Sequence, residues 1–234
     1  MKEERTKIQD IPSIIWGEES SKVYIAVHGS MSNKEDEVIK ILAEKATSKS
    51  YQVLSFDLPE HGERKSHKEY LCKVQNCVKD LKQIIKYAKA NYEEIYLWAC
   101  SMGAYFSLLA YKNENIKNSL FVSPVINMKE IIDNMMLWSN ITEEDLKSKQ
   151  EIKTDLGQTL YWDYYKYVKE NPIINWNKKT WILYGSQDDM QKQNIIKEFS
   201  VKFNCELSIL ENGEHYFHTK EQLLFYENWL NRII

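Results

Sequence analysis

The sequence predicts an α/β fold, in which a mostly parallel central sheet is flanked by helices. Short apolar, β-rich runs alternate with longer amphipathic stretches along most of the chain, and this alternation is typical of βαβ units. The apolar runs are nearly continuous, which indicates strands that are covered on both faces. At 234 residues the chain is long enough for one such domain with a sizeable core.

The predicted strands are short apolar runs that each end in a turn or a polar cluster. In chain order they span 23–27, 52–56, 95–99, 119–122, 180–184 and 206–210. The predicted helices are stretches with apolar residues at helical spacing. They span 35–45, about 69–91, 102–112, 189–203 and 220–233. No linker rich in Gly, Ser or Pro divides the sequence, so we expect a single domain over 1–234.

The stretch from about 124 to 176 interrupts the alternation and is too long for a plain crossover. It predicts two or three short helices, which we interpret as a helical lid insertion in the domain. One of them is expected to begin after Thr142, a capping residue followed by three acidic side chains. Further on, aromatic residues crowd together, either as packing surface or as an apolar lid lining over the strand ends. They are Tyr161, Trp162, Tyr164, Tyr165 and Tyr167.

Charge and hydropathy limit the partners that we expect. The formal net charge is −3, with 31 basic and 34 acidic residues, so no basic field favours nucleic acid or other polyanions. No segment is long and apolar enough to span a bilayer, and the charged N-terminal residues do not resemble a signal peptide. We therefore expect a cytoplasmic protein.

Four cysteines occur, and none forms a C-x-x-C pair. The spacing typical of metal sites is therefore missing, and a reducing compartment would leave free thiols. We interpret them as small apolar residues of the core, and we predict neither a metal nor an organic cofactor. The cysteines are Cys72, Cys77, Cys100 and Cys205.

Ser101 lies where the apolar predicted strand 95–99 runs directly into the apolar predicted helix 102–112. Ala99 and Gly103, two positions to either side, are small enough for strand and helix to pass closely. A serine in such a tight turn is typical of a nucleophile elbow, which exposes the hydroxyl above the sheet and directs the helix N-terminus at a developing oxyanion. The same pattern fits a serine that only caps the helix, so other positions must decide.

Two further strand ends carry polar residues. Gly29 would let the backbone turn sharply and bring the N–H of Ser30 close to a bound carbonyl. We interpret the neighbouring His28 as a hydrogen-bonding partner within the loops, not as a base. After the next strand, Asp57 and His61 lie in a turn segment and are expected to have structural roles.

The last two strand ends supply an acid and a base. Either Asp188 or Asp189 could accept the Nδ1 proton of a histidine and stabilise the imidazolium, and the other could cap the following helix. His215 follows the glycine turn at Gly213 and is well placed as general base, since its ordinary pKa lies near neutrality. His218 is the alternative, but it lies further from Gly213 and close to the next helix.

Taken together, these segments resemble the α/β-hydrolase superfamily over nearly the whole chain, from about 14 to 229. The resemblance implies Ser101 as nucleophile, Asp188 as acid, His215 as base and the N–H groups of Ser30 and Met102 as oxyanion hole. The matching landmarks are the His28-Gly29 turn, the segment 57–62, the Ser101 elbow, Gly185-x-x-Asp188 and Gly213-Glu214-His215.

Two positions depart from the family pattern, because Ala99 replaces the common elbow glycine and Glu60 replaces a glycine in the segment 57–62. Neither removes a reacting group. The resemblance implies a serine hydrolase that cleaves a carboxylic ester or thioester of a small, partly apolar substrate. A peptidase or amidase, an acyltransferase and a catalytically idle ligand-binding protein stay open as alternatives. The oligomeric state stays open too, and the aromatic insertion could form a homodimer interface.

Overall fold

The computed structural model describes residues 1–67, 69–155 and 157–234. Its strands, in chain order, are β1 (Glu3–Ile8), β2 (Ile11–Trp16), β3 (Lys22–Val27), β4 (Gln52–Phe56), β5 (Glu94–Cys100), β6 (Asn118–Val122), β7 (Glu151–Lys153), β8 (Thr159–Tyr161), β9 (Lys179–Gly185) and β10 (Glu206–Leu210). Its α-helices are α1 (Glu37–Thr47), α2 (Val74–Asn91), α3 (Met102–Tyr111), α4 (Met128–Trp138), α5 (Glu143–Lys149), α6 (Trp162–Glu170), α7 (Gln193–Lys202) and α8 (Lys220–Ile233).

In this described part of the chain, eight strands form one sheet in the order β1-β2-β4-β3-β5-β6-β9-β10. From β4 through β10 all neighbours are parallel, whereas β1 and β2 are antiparallel to their neighbours. The predicted mostly parallel sheet is confirmed. Because parallel strands end at the same edge, the carboxyl ends of β3, β5, β9 and β10 bring their loops together.

The hairpin of β1 and β2 was not among the predicted strands. All but one residue of β1 are exposed or half-buried, and its charged side chains hide the apolar signal of a strand. Such an edge strand is typical of natural sheets, where charges discourage pairing with other chains. Its partner β2 is buried throughout, so the hairpin covers one side of β4 with an apolar strand and leaves a polar edge.

Two apolar layers cover the sheet. Helices α1 and α8 pack on one face around Trp16, Trp98 and Trp229, each buried to 2% exposure or less. Helices α2, α3 and α7 pack on the other face, and buried residues of α4, α5 and α6 join the same cluster. This sharing of one core supports our proposal that 1–234 is a single domain. In the described residues, no helix is long and apolar enough to cross a membrane.

Two predicted helices begin later than expected. The helix predicted from about 69 begins at Val74, because the segment before it is held in a loop by a hydrogen bond from the Cys72 N–H to Glu60. The helix predicted from 189 begins at Gln193, directly after Lys192. The carboxylate of Asp188 accepts the N–H groups that follow it and so holds that segment in a turn.

The segment 124–176 contains the three helices α4, α5 and α6, which matches the expected two or three. It also contains the short hairpin of β7 and β8, which was not predicted. Thr142 caps α5 as expected, and Asp145 completes a reciprocal capping box with it. In the hairpin, the carbonyl of Gln158 accepts both the N–H and the hydroxyl of Thr154, each at 2.8 Å.

Candidate active site

Ser101 occupies the turn between β5 and α3. Its backbone has φ 51° and ψ −124°, a conformation that non-glycine residues rarely adopt and that costs about 1–3 kcal/mol. Gly103 makes the turn possible, since a Cβ there would lie 2.4 Å from the carbonyl oxygen of His28. The turn leaves the hydroxyl of Ser101 free of any capping hydrogen bond to α3. Ser101 therefore does not act as a side-chain cap of α3, which was the alternative interpretation of the sequence.

The structure brings Ser101, His215 and Asp188 into one hydrogen-bonded row. The Oγ of Ser101 lies 2.9 Å from Nε2 of His215, and the Nδ1 of His215 lies 2.7 Å from Oδ2 of Asp188. A carboxylate at Nδ1 keeps the proton on that nitrogen, which leaves Nε2 as an acceptor for the serine proton. The three side chains thus have the order that proton transfer from Ser101 requires.

Asp188 is held from two sides. Its side chain is fully buried, and its second oxygen, Oδ1, accepts the N–H groups of Met190 at 2.9 Å and Gln191 at 3.2 Å. Such bonds compensate the carboxylate for the water that it loses on burial. Asp189 is exposed and caps no helix, so the structure separates the two aspartates that the sequence left open.

The loop that carries His215 is packed against the loop that carries Asp188. Gly185, at the end of β9, lies under Gly213, and a Cβ at Gly185 would come within 2.3 Å of the Gly213 carbonyl oxygen. The two loops can therefore approach closely enough for the side-chain contact. His218 is turned away, because its Nδ1 bonds the carbonyl of Tyr216 and its ring stacks on that side chain.

Ser30 and Met102, the two residues predicted to supply oxyanion N–H groups, lie near Ser101, since Met102 follows it in the chain and Ser30 follows Gly29. Gly29 lies so close to the turn at Ser101 that a Cβ there would be 2.9 Å from Cβ of Ser101. Within the described residues the Ser30 N–H has no backbone acceptor, and Met102, as first residue of α3, has none within its helix. These N–H groups are the two that we consider for an oxyanion hole.

His28 is a structural residue at the base of this loop. Its Nδ1 donates to the carbonyl of Gly29 at 2.7 Å, and its Nε2 accepts the N–H of Leu58 at 3.0 Å. Burial lowers the pKa of His28 to about 4, so the ring is neutral near neutral pH. A neutral ring with both nitrogens occupied is not available as a base.

Asp57 and His61 also have structural contacts. Asp57 is fully buried and pairs with Lys34 at 2.7 Å, while accepting the backbone N–H groups of Lys34 and Glu63. His61 donates from Nδ1 to the carbonyl of Pro59 and accepts the N–H of Met31 through Nε2. Both side chains therefore shape the loops beside Ser101 without contacting it.

A cavity of about 470 Å³ opens beside Ser101 and His215. Its walls are mainly apolar, and several of them come from the sheet face that α1 covers. They include Val38, Trp98, Val122, Met190 and Phe217. One carboxylate, Asp36 at the start of α1, also lines it, and no Lys or Arg does so among the described residues.

Asp36 escaped the sequence analysis because it lay inside the first turn of the predicted helix 35–45, whereas α1 begins one residue after it. Here the side chain makes no capping hydrogen bond and instead accepts the hydroxyl of Ser32 beside the cavity. Gln158, at the tip of the β7–β8 hairpin, also lines the cavity and had no sequence signal, since the hairpin itself was missed. Both residues lie beside the cavity only because the folded chain brings their loops next to it.

The aromatic cluster of the insertion packs inside the molecule. Its side chains are buried or half-buried, and none lines this cavity in the described structure. Tyr165 of α6 donates to Asp133 of α4 at 2.8 Å, and Asp163 pairs with Lys73 beside α2. Of the two interpretations of these aromatic residues, packing surface agrees with the structure. The apolar lining of the cavity comes from other residues.

Comparisons with known proteins decide the family. Residues 18–171 match the family described as Serine aminopeptidase, S33. The chain belongs to this serine aminopeptidase family. A comparison with curated protein sequences found no match.

Solved structures share the fold of this serine aminopeptidase family member. Est1E from Butyrivibrio proteoclasticus, solved with bound ferulic acid, superposes with a TM-score of 0.78 at 19% identity, over 98% of this chain and 96% of that chain. Alpha/beta hydrolase domain-containing protein 10 from mouse gives 0.77 at 13% identity, over 100% and 98%. A Pyrococcus furiosus esterase, Pf2001, gives 0.67 at 21% identity, over 99% and 87%. The predicted α/β-hydrolase fold is confirmed, and the protein is a hydrolase of this type.

Proposed function

We propose that the protein is a serine hydrolase that cleaves a carboxylic ester or thioester of a small, partly apolar substrate. The hydrogen-bonded row from Ser101 through His215 to Asp188 is the observation that carries this proposal. Each member has the contact that its role requires, and the row borders a cavity of suitable size.

In the proposed reaction, His215 takes the proton of Ser101 through Nε2 as Oγ attacks the carbonyl carbon. Asp188 stabilises the imidazolium that forms, and it need not take up a proton itself. The N–H groups of Ser30 and Met102 would stabilise the developing oxyanion, together with the positive end of α3. His215 then protonates the leaving alcohol or thiol, and water releases the acyl group by the reverse steps.

The chemistry of the cavity indicates which substrates it accepts. Its walls favour an apolar chain or ring, because each buried methylene contributes about 0.8 kcal/mol of hydrophobic free energy. The carboxylate of Asp36 adds a negative charge that no lining Lys or Arg offsets in the described residues. We therefore propose that neutral or cationic substrates are preferred over anionic ones.

The same carboxylate supports a second candidate, an aminopeptidase or amidase. A peptide or amino-acid amide carries an α-ammonium group near the bond to be cleaved, and Asp36 could pair with that group. The ester is our first choice, because an alkoxide or thiolate leaves more readily than the nitrogen anion of an amide. Parallel assays of an amino-acid p-nitroanilide and an acyl p-nitrophenyl ester distinguish the two.

Replacement of the nucleophile tests the enzymatic proposal. Ser101→Ala is expected to lower kcat for p-nitrophenyl butyrate by roughly 10⁴-fold or more, and to abolish covalent labelling by a fluorophosphonate probe. The matched control is Ser200→Ala, which removes a buried serine hydroxyl in α7 that, in the described structure, bonds only the carbonyl of Ile196. A folded Ser101→Ala protein that kept full activity would refute the proposal. Methyl ferulate and an acyl-CoA thioester extend the substrate series.

A further inference from the structure

Two of the four cysteines lie in contact. The Sγ atoms of Cys72 and Cys77 are 3.6 Å apart. Cys72 directly precedes Lys73, the capping residue of α2, and Cys77 is the fourth residue of that helix. These are the two positions where apolar side chains commonly meet across a helix N-terminus, so local helix geometry accounts for the contact.

The two thiols differ in environment. Cys77 is buried in the core, whereas Cys72 is half-buried and faces the loop that contains Glu60 and His61. Of the two thiols, Cys72 is therefore the more accessible to a small reagent. The remaining cysteines, Cys100 and Cys205, have no thiol contact of this kind in the described structure.

The two thiols also differ in pKa, and the less buried Cys72 is the more acidic one. The contact with Cys77, and then the neighbouring His61, lower the pKa of Cys72 to about 6, although its own burial opposes this. Burial raises the pKa of Cys77 well above its ordinary value, so Cys77 keeps its proton. The contact therefore pairs a thiol of lowered pKa with a thiol of raised pKa, the arrangement of an attacking and a resolving cysteine.

We propose that Cys72 and Cys77 form a redox-active dithiol, which a hydroperoxide converts to an intramolecular disulfide. The Cys72 thiolate attacks one peroxide oxygen, the O–O bond breaks, and hydroxide leaves together with formation of a sulfenic acid. The Cys77 sulfur then attacks the Cys72 sulfur, the S–O bond breaks, and the hydroxyl leaves as water with the Cys77 proton. With hydrogen peroxide, two thiols and one peroxide give one disulfide and two water molecules.

The dithiol is connected to the loop beside Ser101. Cys72 lies beside His61 and raises the pKa of that imidazole, against the lowering effect of burial. The Nε2 of His61 accepts the N–H of Met31 at 3.2 Å, and Met31 follows Ser30, the proposed oxyanion donor. A disulfide would draw the Cys72 sulfur toward Cys77 and remove its charge from His61. We expect ester turnover to fall at least threefold on oxidation, and this part rests on the proposed function.

Peptide mapping tests the disulfide independently of any activity. Trypsin cuts after Lys73 and so separates Cys72 from Cys77. After brief treatment of the folded protein with stoichiometric hydrogen peroxide and alkylation, we expect peptides 69–73 and 74–79 to be joined and to separate on treatment with a dithiol. Wild-type protein suffices for this measurement, so a variant that failed to fold would not block it.

Three variants serve as controls. Cys72→Ser and Cys77→Ser are expected to lose the joined peptide and the peroxide sensitivity of turnover, while Cys205→Ser, a change at another half-buried cysteine, keeps both. Unjoined peptides, or Cys72 carried on to a sulfinic acid in wild type, would overturn the proposal. An oxidised protein with the joined peptide and unchanged turnover would overturn only the connection to the active site. Absence of hydrolase activity would leave the mapping result intact.

Discussion

The side-chain oxygen of Gln191 accepts the backbone N–H of Asn127 at 2.6 Å, although the two residues lie 64 positions apart in the chain. The same oxygen accepts the N–H of Ile126 at 2.8 Å. The backbone of Gln191 donates to Asp188 and accepts the hydroxyl of Tyr184. One buried amide therefore joins the loop of the proposed catalytic acid to the start of the insertion.

Gln191→Ala is expected to lower both stability and turnover. It removes the acceptor of two N–H groups, of which that of Ile126 is half-buried, and loss of a hydrogen bond at such a place costs about 1–3 kcal/mol. Chemical denaturation should show a decrease of about 2 kcal/mol or more in the free energy of unfolding. Gln191→Glu keeps an oxygen acceptor at the same place and should lose less. Equal losses in both variants would contradict this role.

Asp188→Asn is expected to lower kcat by roughly 10⁴-fold with little change in KM, because the amide no longer stabilises the imidazolium and favours the wrong tautomer of His215. Asp189→Asn, at the adjacent exposed position, should leave kcat unchanged. Steady-state kinetics on one ester substrate make the comparison. A large loss in the Asp189 variant would reassign the acid.

His28 is expected to make stability depend on pH below neutrality. Burial lowers its pKa to about 4 in the folded chain, whereas the unfolded chain takes up the proton near pH 6.5. The unfolded state therefore binds more protons between these values, and the free energy of unfolding falls as the pH drops from 6.5 to 4, by at most about 3 kcal/mol from this group.

The difference in unfolding free energy between wild type and His28→Gln isolates this contribution. It should be largest above pH 6.5 and should shrink toward pH 4. His218→Gln, a change at an exposed histidine, should leave the pH dependence of the free energy of unfolding as in wild type. A difference that stays constant with pH would mean that His28 is not held neutral.

Asp36 is expected to set the charge preference of the cavity. The test compares the p-nitrophenyl esters of three acids of similar length, namely 6-aminohexanoate, heptanoate and the monoester of adipate. We expect kcat/KM to be higher for the cationic than for the anionic ester by about tenfold, which corresponds to about 1.4 kcal/mol. Asp36→Asn should reduce this ratio, and added salt should reduce it in wild type.

The matched control for this test is Glu37→Gln, which removes a neighbouring charge that is exposed on the same helix turn. It should leave the ratio nearly unchanged, because solvent screens an exposed carboxylate. If the anionic ester were hydrolysed as well as the cationic one, Asp36 would not face the bound acyl chain.

Much of the fold could be predicted because its signals are local. The apolar run that forms β5, the glycine that follows and the apolar helix α3 are contiguous, so the turn at Ser101 was visible in the sequence. The helix start after Thr142 depends on neighbouring residues and was equally visible, whereas the reciprocal bond of Asp145 was seen only in the structure. By contrast, β1 was missed. It is an edge strand with charged, largely exposed side chains, and such a strand lacks the apolar pattern by which strands are predicted.

By itself the sequence determined the parallel sheet, the strand ends and the set of polar residues that follow them, because periodicity and turn chemistry are properties of neighbours in the chain. Tertiary structure decided which of those residues meet. The choice of Asp188 over Asp189 depends on the N–H groups that hold one carboxylate under His215, and the charge of the cavity depends on how α1 packs beside β5. The contact of Cys72 with Cys77 is local to one helix end, but its connection to Met31 runs through His61 from another loop. Such contacts join residues that are distant in sequence, and only the packing of the whole domain brings them together.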